Sequence, residues 1–358
     1  MENNPNHLNH LQLLRAVAAL LVVMYHTYIF SDKVLNYKHL NGMFISGFSG
    51  VDLFFVLSGF IILYVHGQDM GKISKFKPYL IKRFARVFPI YWLINLLVIP
   101  LYFILPQFGQ GYETEFKTIV KSLLLLPQSN LPIISVAWTL IHEMRFYIIF
   151  SLAILLGIKK FWPVSWLILS ITLTFYFLRV AGIKYQTNFI TGFLFSYYNL
   201  EFLLGCLGAY LVQKNRLKAS KGILMLGVLS FLFSNIYYKI YSLRLDDSLR
   251  ILFFGLPSAL IVTSLAIQDK IKSSNIPKLL LLIGNASYSI YLTHQIIISI
   301  ATRVLIASGI QQLIGLSILM MLSATVAVSV GIAIHLYLEK PMVFYTRKLL
   351  LPQTQTSF

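Results

Sequence analysis

Apolar runs of about bilayer length alternate with short polar segments along nearly the whole chain. A hydrocarbon core of about 30 Å takes about 20 helical residues at 1.5 Å each. Ten runs approach that length, at approximately 11–31, 48–66, 84–105, 135–157, 162–180, 189–212, 222–240, 250–268, 280–305 and 311–338. The third and fourth are separated by LPQFGQGYE, where Pro and Gly interrupt the pattern, in a loop long enough to be functional. KSLLLLPQSN within that loop is too short to span and reads as an interfacial segment. No internal repeat, low-complexity tract or soluble domain interrupts the series.

Composition agrees with the pattern. Of 358 residues, 57% are hydrophobic and only 12% are charged, with a mean hydropathy of +0.74. Soluble domains carry about 25% charged residues. The expected fold is all-α: a polytopic membrane protein of about ten transmembrane helices. Residues 1–348 read as a single transmembrane domain and 349–358 as a short polar tail. The first run has no basic leader before Arg15 and no small-x-small cleavage site after it, so it reads as a retained helix rather than a signal peptide. The lone cysteine, Cys206, excludes an intramolecular disulfide and a cysteine-based metal site.

Charge changes the picture in one respect. A net charge of +18 fits either nucleic-acid binding or the Lys/Arg excess of cytoplasmic loops. The basic residues sit in short loops between apolar runs, which favours the second and argues against nucleic acid. With the N-terminus inside, 19 Lys and Arg fall on the inner side and 10 on the outer, with Arg145 inside a span. Both termini are therefore expected in the cytoplasm.

Several polar groups interrupt the spans. Arg15 and His26 lie eleven residues apart in the first, close to three helical turns, so they share one face about 16 Å apart along the axis. Ionisable groups within a span usually face a protein interior or a wet cavity. An Arg snorkelling to headgroups and a His bonded to a carbonyl would look the same in sequence. The second span opens GFSGVDLFFVLSGF. Its Gly47, Gly50 and Gly59 permit close backbone approach. Its Asp52 is either functional or a carboxylate complementing the helix dipole. Arg83 and Arg86 share a face at i, i+3, with Lys82 beside them, on the expected inner side. Such planar forks suit phosphate, and an ordinary basic cluster on anionic lipid is the plainer alternative. In the fourth span, His142, Glu143 and Arg145 enter an apolar helix, and Glu143 shares a face with Tyr147. A buried carboxylate needs a partner; Arg145, His142 and His26 are candidates, and a structural Glu–Arg pair is the bland alternative. Ser287, Tyr291 and His294 form one polar stripe in the ninth span, as a substrate path or as interhelical hydrogen bonds. Glu339-Lys340-Pro341 reads as a cap or ion pair that terminates the last helix. No zinc signature, phosphate loop or nucleophile elbow is present.

Taken together, RAVAALLVVMYH, GVDLFFVLSGF, KRFARVFPIYW, WTLIHEMRFY, GNASYSIYLTH and the terminal YLEKP resemble the acyltransferase-3 family of integral membrane transacylases, in the family's order and over nearly the whole chain. The resemblance implies an enzyme of the cytoplasmic (inner) membrane of bacteria. It would move an acyl group, most often acetyl, from cytoplasmic acyl-coenzyme A to a hydroxyl of an extracytoplasmic carbohydrate such as exopolysaccharide or O-antigen. Acyl-coenzyme A is then a co-substrate; no permanently bound cofactor or metal is implied. The family's motifs map onto Arg15 and His26, onto Arg83 and Arg86, and onto Trp138, Thr139, Leu140, Glu143, Phe146 and Tyr147. Some members carry a C-terminal esterase-like domain, and this sequence reads as a stand-alone version without one. The expected mechanism docks the donor's phosphates at Arg83 and Arg86, helped by Lys82. His26 acts as general base on the acceptor hydroxyl; a covalent acyl-His is the second variant. Glu143 or Asp52 orients the imidazole, and Arg15 holds the donor or stabilises developing negative charge. Trp138, Tyr147, Tyr291 and His294 are candidates for the acceptor path. The competing class is a non-catalytic transporter or polysaccharide exporter.

Overall fold

The computed structural model describes residues 8–156, 168–169, 172–173, 176, 189–194, 196–216, 221–241, 247–271 and 274–351. Within them every long apolar run is helical, and no strand occurs among the described residues. The principal helices are α1 (Asn9–Leu35), α2 (Ser49–His66), α3 (Phe76–Ile104), α4 (Trp138–Leu155), α5 (Tyr198–Gln213), α6 (Lys221–Tyr241), α7 (Leu256–Ile271), α8 (Lys278–Asn285), α9 (Ser287–Ala307), α10 (Ile310–Ile334) and α11 (Lys340–Leu350).

Eight helical stretches among the described residues are long and apolar enough to cross a membrane. Of the ten expected runs, 162–180 lies almost wholly outside the described residues. The run 189–212 is divided into Phe189–Leu194 and the 16-residue α5. Asn199 explains part of the break. Its Nδ2 donates to the Leu194 carbonyl at 2.9 Å, a local side-chain bond that competes with helix continuation. The run 280–305 is divided at Ala286, just after the poor helix formers Gly284 and Asn285. The last run does not stop at Glu339-Lys340-Pro341. A π-helical turn, His335–Glu339, leads into α11, with Pro341 in the first turn of that helix. The helix continues through Pro341, whose missing N–H falls just after the π turn, the kind of bulge where an interrupted hydrogen-bond ladder is accommodated.

The chain divides into two compact units, 1–65 with 200–335, and 66–199 with 336–358. In the first, Ala16, Ala19 and Val23 of α1 pack against Ile283, Ala286, Ile290 and Ile298, and against Leu319, Met320, Ala324 and Ala327 of α10. Alanines on α1 let the backbones approach, as small residues do between membrane helices. Gly50 and Gly59 work the same way. A Cβ at Gly50 would strike the Ala18 carbonyl oxygen, and one at Gly59 the Phe202 carbonyl oxygen. Asp269 caps the start of α1. It accepts from the His10 backbone N–H at 2.8 Å and pairs with the His10 ring at 2.6 Å. In the second unit, α11 packs on α3, and α3 contacts α4. The short helix Phe116–Leu123, in the loop read as interfacial, is tied to α3. The Tyr91 hydroxyl donates to Ser122 O at 2.7 Å and the Trp92 indole to Leu123 O at 2.8 Å.

Candidate functional site

In the first unit, Arg15 and His26 of α1 both reach α9. The Arg15 Nη2 donates to Ser287 Oγ at 2.9 Å. His26 Nδ1 lies 3.0 Å from His294 Nε2. The contacts come in the same order along both helices, so α1 and α9 run parallel. Eleven residues of α1 rise about 16 Å while seven of α9 rise about 10 Å. The long arginine side chain takes up the difference.

The carbonyls around the two histidines fix their tautomers. His294 Nδ1 lies 2.7 Å from Tyr291 O and 3.2 Å from Ile290 O. Carbonyl oxygens only accept, so this nitrogen carries the proton and Nε2 of the neutral ring is an acceptor. His26 Nδ1 faces that acceptor and also Val22 O at 3.0 Å. It too must donate. The lone pair of His26 is thereby left on Nε2, the form a general base needs. His294 is fully buried, whereas His26 keeps partial exposure. The sequence placed His294 on a polar stripe but gave no sign that it would meet His26. Tyr291 is buried in the same stripe, its ring against Phe54 at 5.8 Å.

Asp52 is committed elsewhere. Arg250 Nη2 donates to its Oδ2 at 2.7 Å and Nε to its Oδ1 at 3.2 Å, a two-point ion pair. The guanidinium also lies over the Phe48 ring at 4.6 Å. Glu201, fully buried, sits close enough to Asp52 and Arg250 to interact with both electrostatically. Gly255 makes room for it, since a Cβ there would lie 3.1 Å from Glu201 Cγ. Neither Arg250 nor Glu201 was singled out by the sequence, because each is an isolated charge with no motif around it.

In the second unit, Arg83 is held from several sides. Its Nη2 donates to His66 Nε2 at 2.8 Å, and His66 Nδ1 pairs with Asp69 Oδ2 at 2.8 Å. The guanidinium carbon lies 5.7 Å from the Tyr79 ring and 5.5 Å from that of Tyr147. Tyr147 in turn donates its hydroxyl to Glu143 Oε1. The i, i+4 spacing of Glu143 and Tyr147 thus joins those two residues directly. Arg145 donates to the Phe193 carbonyl and lies over the Phe193 ring at 4.6 Å. Trp138 packs on His142 at 5.9 Å and on Tyr198 at 5.3 Å. Lys82 and Arg86 are half-buried on the same helix as Arg83. The expected site residues therefore fall into two groups. Arg15, His26, Asp52, Tyr291 and His294 belong to the first unit; Lys82, Arg83, Arg86, Trp138, Glu143 and Tyr147 belong to the second.

Comparison with known proteins bears on what these groups do. The model of an acyltransferase domain, acyltransferase-3, matches residues 8–335. An exopolysaccharide production protein of Rhizobium meliloti, ExoZ, is 26% identical over 319 residues, covering 84% of this chain and 90% of the relative. A peptidoglycan O-acetyltransferase of Listeria monocytogenes, OatA, is 27% identical over 321 residues, covering 82% of this chain and 49% of the relative. The chain thus spans nearly all of one relative and about half of the other. No solved structure matches it. Eight apolar helices of spanning length and a family match over almost the whole sequence lead to one assignment: the chain belongs to the acyltransferase-3 family, as a multi-pass membrane acyltransferase.

Proposed function

We propose that the protein is an O-acetyltransferase of the cytoplasmic membrane. It transfers acetyl from cytoplasmic acetyl-coenzyme A to a hydroxyl of an extracytoplasmic carbohydrate. The names of the relatives support the acceptor class: one serves exopolysaccharide production and one O-acetylates peptidoglycan. The observation that carries the chemistry is the His294–His26 pair, which leaves His26 Nε2 with a free lone pair. Nε2 takes the proton of the acceptor hydroxyl as its oxygen attacks the thioester carbonyl. The new C–O bond forms, the C–S bond breaks, and the imidazolium returns the proton to the departing thiolate. The products are the O-acetyl ester and free coenzyme A.

The other assignments follow from each unit separately. His294 takes the orienting role expected of a carboxylate, and Asp52 holds Arg250. Arg15, steadied by Ser287, supplies positive charge on the same helix face as His26. Arg83 and Arg86, with Lys82, bind the donor's phosphates, and Glu143 fixes the Tyr147 ring against which Arg83 rests. Trp138 and Tyr291 remain the candidates for the acceptor path. The proposed topology has ten spans with both termini in the cytoplasm, supported by the Lys/Arg bias. Thiol release from acetyl-coenzyme A by the purified protein, measured with and without acceptor glycan, tests the reading. Acceptor-dependent release supports it; no consumption of any acyl donor would favour the exporter class instead.

A further inference from the structure

Arg83 and Arg86 are not the only guanidiniums in their patch. Helix α11 packs against α3, and Arg347 in its last turn lies within the electrostatic field of both Arg86 and Arg83. Lys82 feels Arg347, Arg83 and Lys75, with Asp69 as a neighbouring carboxylate. Glu143 is at the other edge, bonded to Tyr147. Five cations thus crowd around two carboxylates, and each carboxylate already holds a neutral partner, His66 or Tyr147. Lys75 is exposed, but Lys82, Arg83, Arg86 and Arg347 are half-buried, and like charges there repel at a cost that rises as water is excluded. Arg83 Nε and Arg347 Nε are moreover buried with no hydrogen-bond partner among the described residues. Buried guanidinium donors left open in this way point to an acceptor that arrives from outside.

The relay behind Arg83 is equally specific. Asp69 accepts from His66 Nδ1, so that nitrogen carries the proton. His66 Nε2 is then an acceptor, and it receives the Arg83 Nη2–H. His66 is 5% exposed, so the middle of the relay is sheltered from water, while Asp69 at its far end is partly exposed. This arrangement fixes one fork of the cluster before any ligand is present, which lowers the ordering cost of binding.

We propose that Arg347 is the third guanidinium of a polyphosphate site on the second unit, and that Asp69 and His66 hold the fork of Arg83 within it. The inference rests on the reading of Arg83 and Arg86 as the donor's phosphate site. It extends that site to a residue beyond 8–335, the stretch that the family model matches. Three forks from two helices suit a diphosphate carrying a further phosphate, rather than a single phosphate group. An anionic lipid headgroup shares part of this chemistry.

The test uses the purified full-length protein in nanodiscs of phosphatidylcholine, with acetyl-coenzyme A as donor. R347Q is expected to raise the donor KM tenfold or more while kcat stays within threefold, and to make the dependence of KM on salt shallower. R347K, which keeps the charge but loses the fork, should recover only part of the affinity. Direct binding of coenzyme A, read alongside thermal unfolding, separates a lost contact from a damaged fold. For the relay, D69N should raise KM, and D69N combined with R83Q should raise it no further than R83Q alone. Additive effects would overturn the positioning role. If R83Q raises KM and R347Q does not, Arg347 lies outside the site and this inference fails while the donor reading stands. If R83Q and R86Q also leave KM unchanged, the donor reading itself fails. Should R347Q keep its coenzyme A affinity but lose phosphatidylglycerol that the wild type retains, Arg347 binds lipid and the proposal is overturned.

Discussion

Two backbone carbonyls, those of Tyr291 and Ile290, decide where the proton of His26 sits. They fix His294, and His294 fixes His26 together with the Val22 carbonyl. On the proposed mechanism, H26A should lower kcat by about 10²–10⁴-fold, the usual range for general-base catalysis. His294 acts only through His26, so H294L should lower kcat by roughly tenfold to a hundredfold, about 1.4–2.7 kcal/mol in barrier, with acceptor KM unchanged. H294Q presents an amide oxygen that can accept from His26 Nδ1 and should recover part of that loss. Steady-state kinetics on the three variants check the order. Asp52 gives a contrasting prediction. It is fully buried and paired with Arg250, so R250M strands a carboxylate and should cost about 3–5 kcal/mol of stability. Thermal unfolding in detergent reads this directly. Arg15 and His26 were legible as a pair because a spacing of three turns needs only one helix. Their meeting with Ser287 and His294 was not, because it depends on how helices distant in sequence pack.

At the scale of the element, small residues set how closely helices cross. Gly59 of α2 faces the Phe202 carbonyl, and Cys206 one turn on donates to Gly59 O at 3.4 Å. G59A therefore forces α2 and α5 apart and should cost about 1–3 kcal/mol, measured again as a loss of thermal stability. The close-approach role of these glycines was readable from GFSGVDLFFVLSGF, since nothing but backbone fits such a pattern in a span. The breaks at Ala286 and before α5 were not readable. Hydropathy registers an apolar run and is blind to a single turn residue inside it. The continuation past Pro341 was missed for a related reason. Proline disturbs a helix interior, but a π turn just before it lets the helix continue.

For the whole molecule, the parallel course of α1 and α9 carries a topological consequence. Their C-terminal ends, near Asn36 and Ser308, must lie on the same side of a membrane that both cross. In the topology proposed from the Lys/Arg bias, that side is extracytoplasmic and Lys72 is cytoplasmic. Cys206 is buried, and a C206A background makes the chain cysteine-free. Single cysteines at Asn36 and Ser308 should then react with an impermeant maleimide in intact cells, and one at Lys72 should not. Labelling of only one of the first pair would contradict the parallel arrangement.

The central claim is that His26 is the base in acetyl transfer to a surface glycan. Its most direct test is transfer of radiolabelled acetyl from acetyl-coenzyme A to glycan in membranes that hold the natural acceptor, comparing wild type with H26A at matched expression. The account predicts labelled glycan in the wild type and a loss of at least a hundredfold in the mutant. Equal labelling in both would contradict it, leaving the family assignment intact and moving the base to another residue, with Glu143 the next to test.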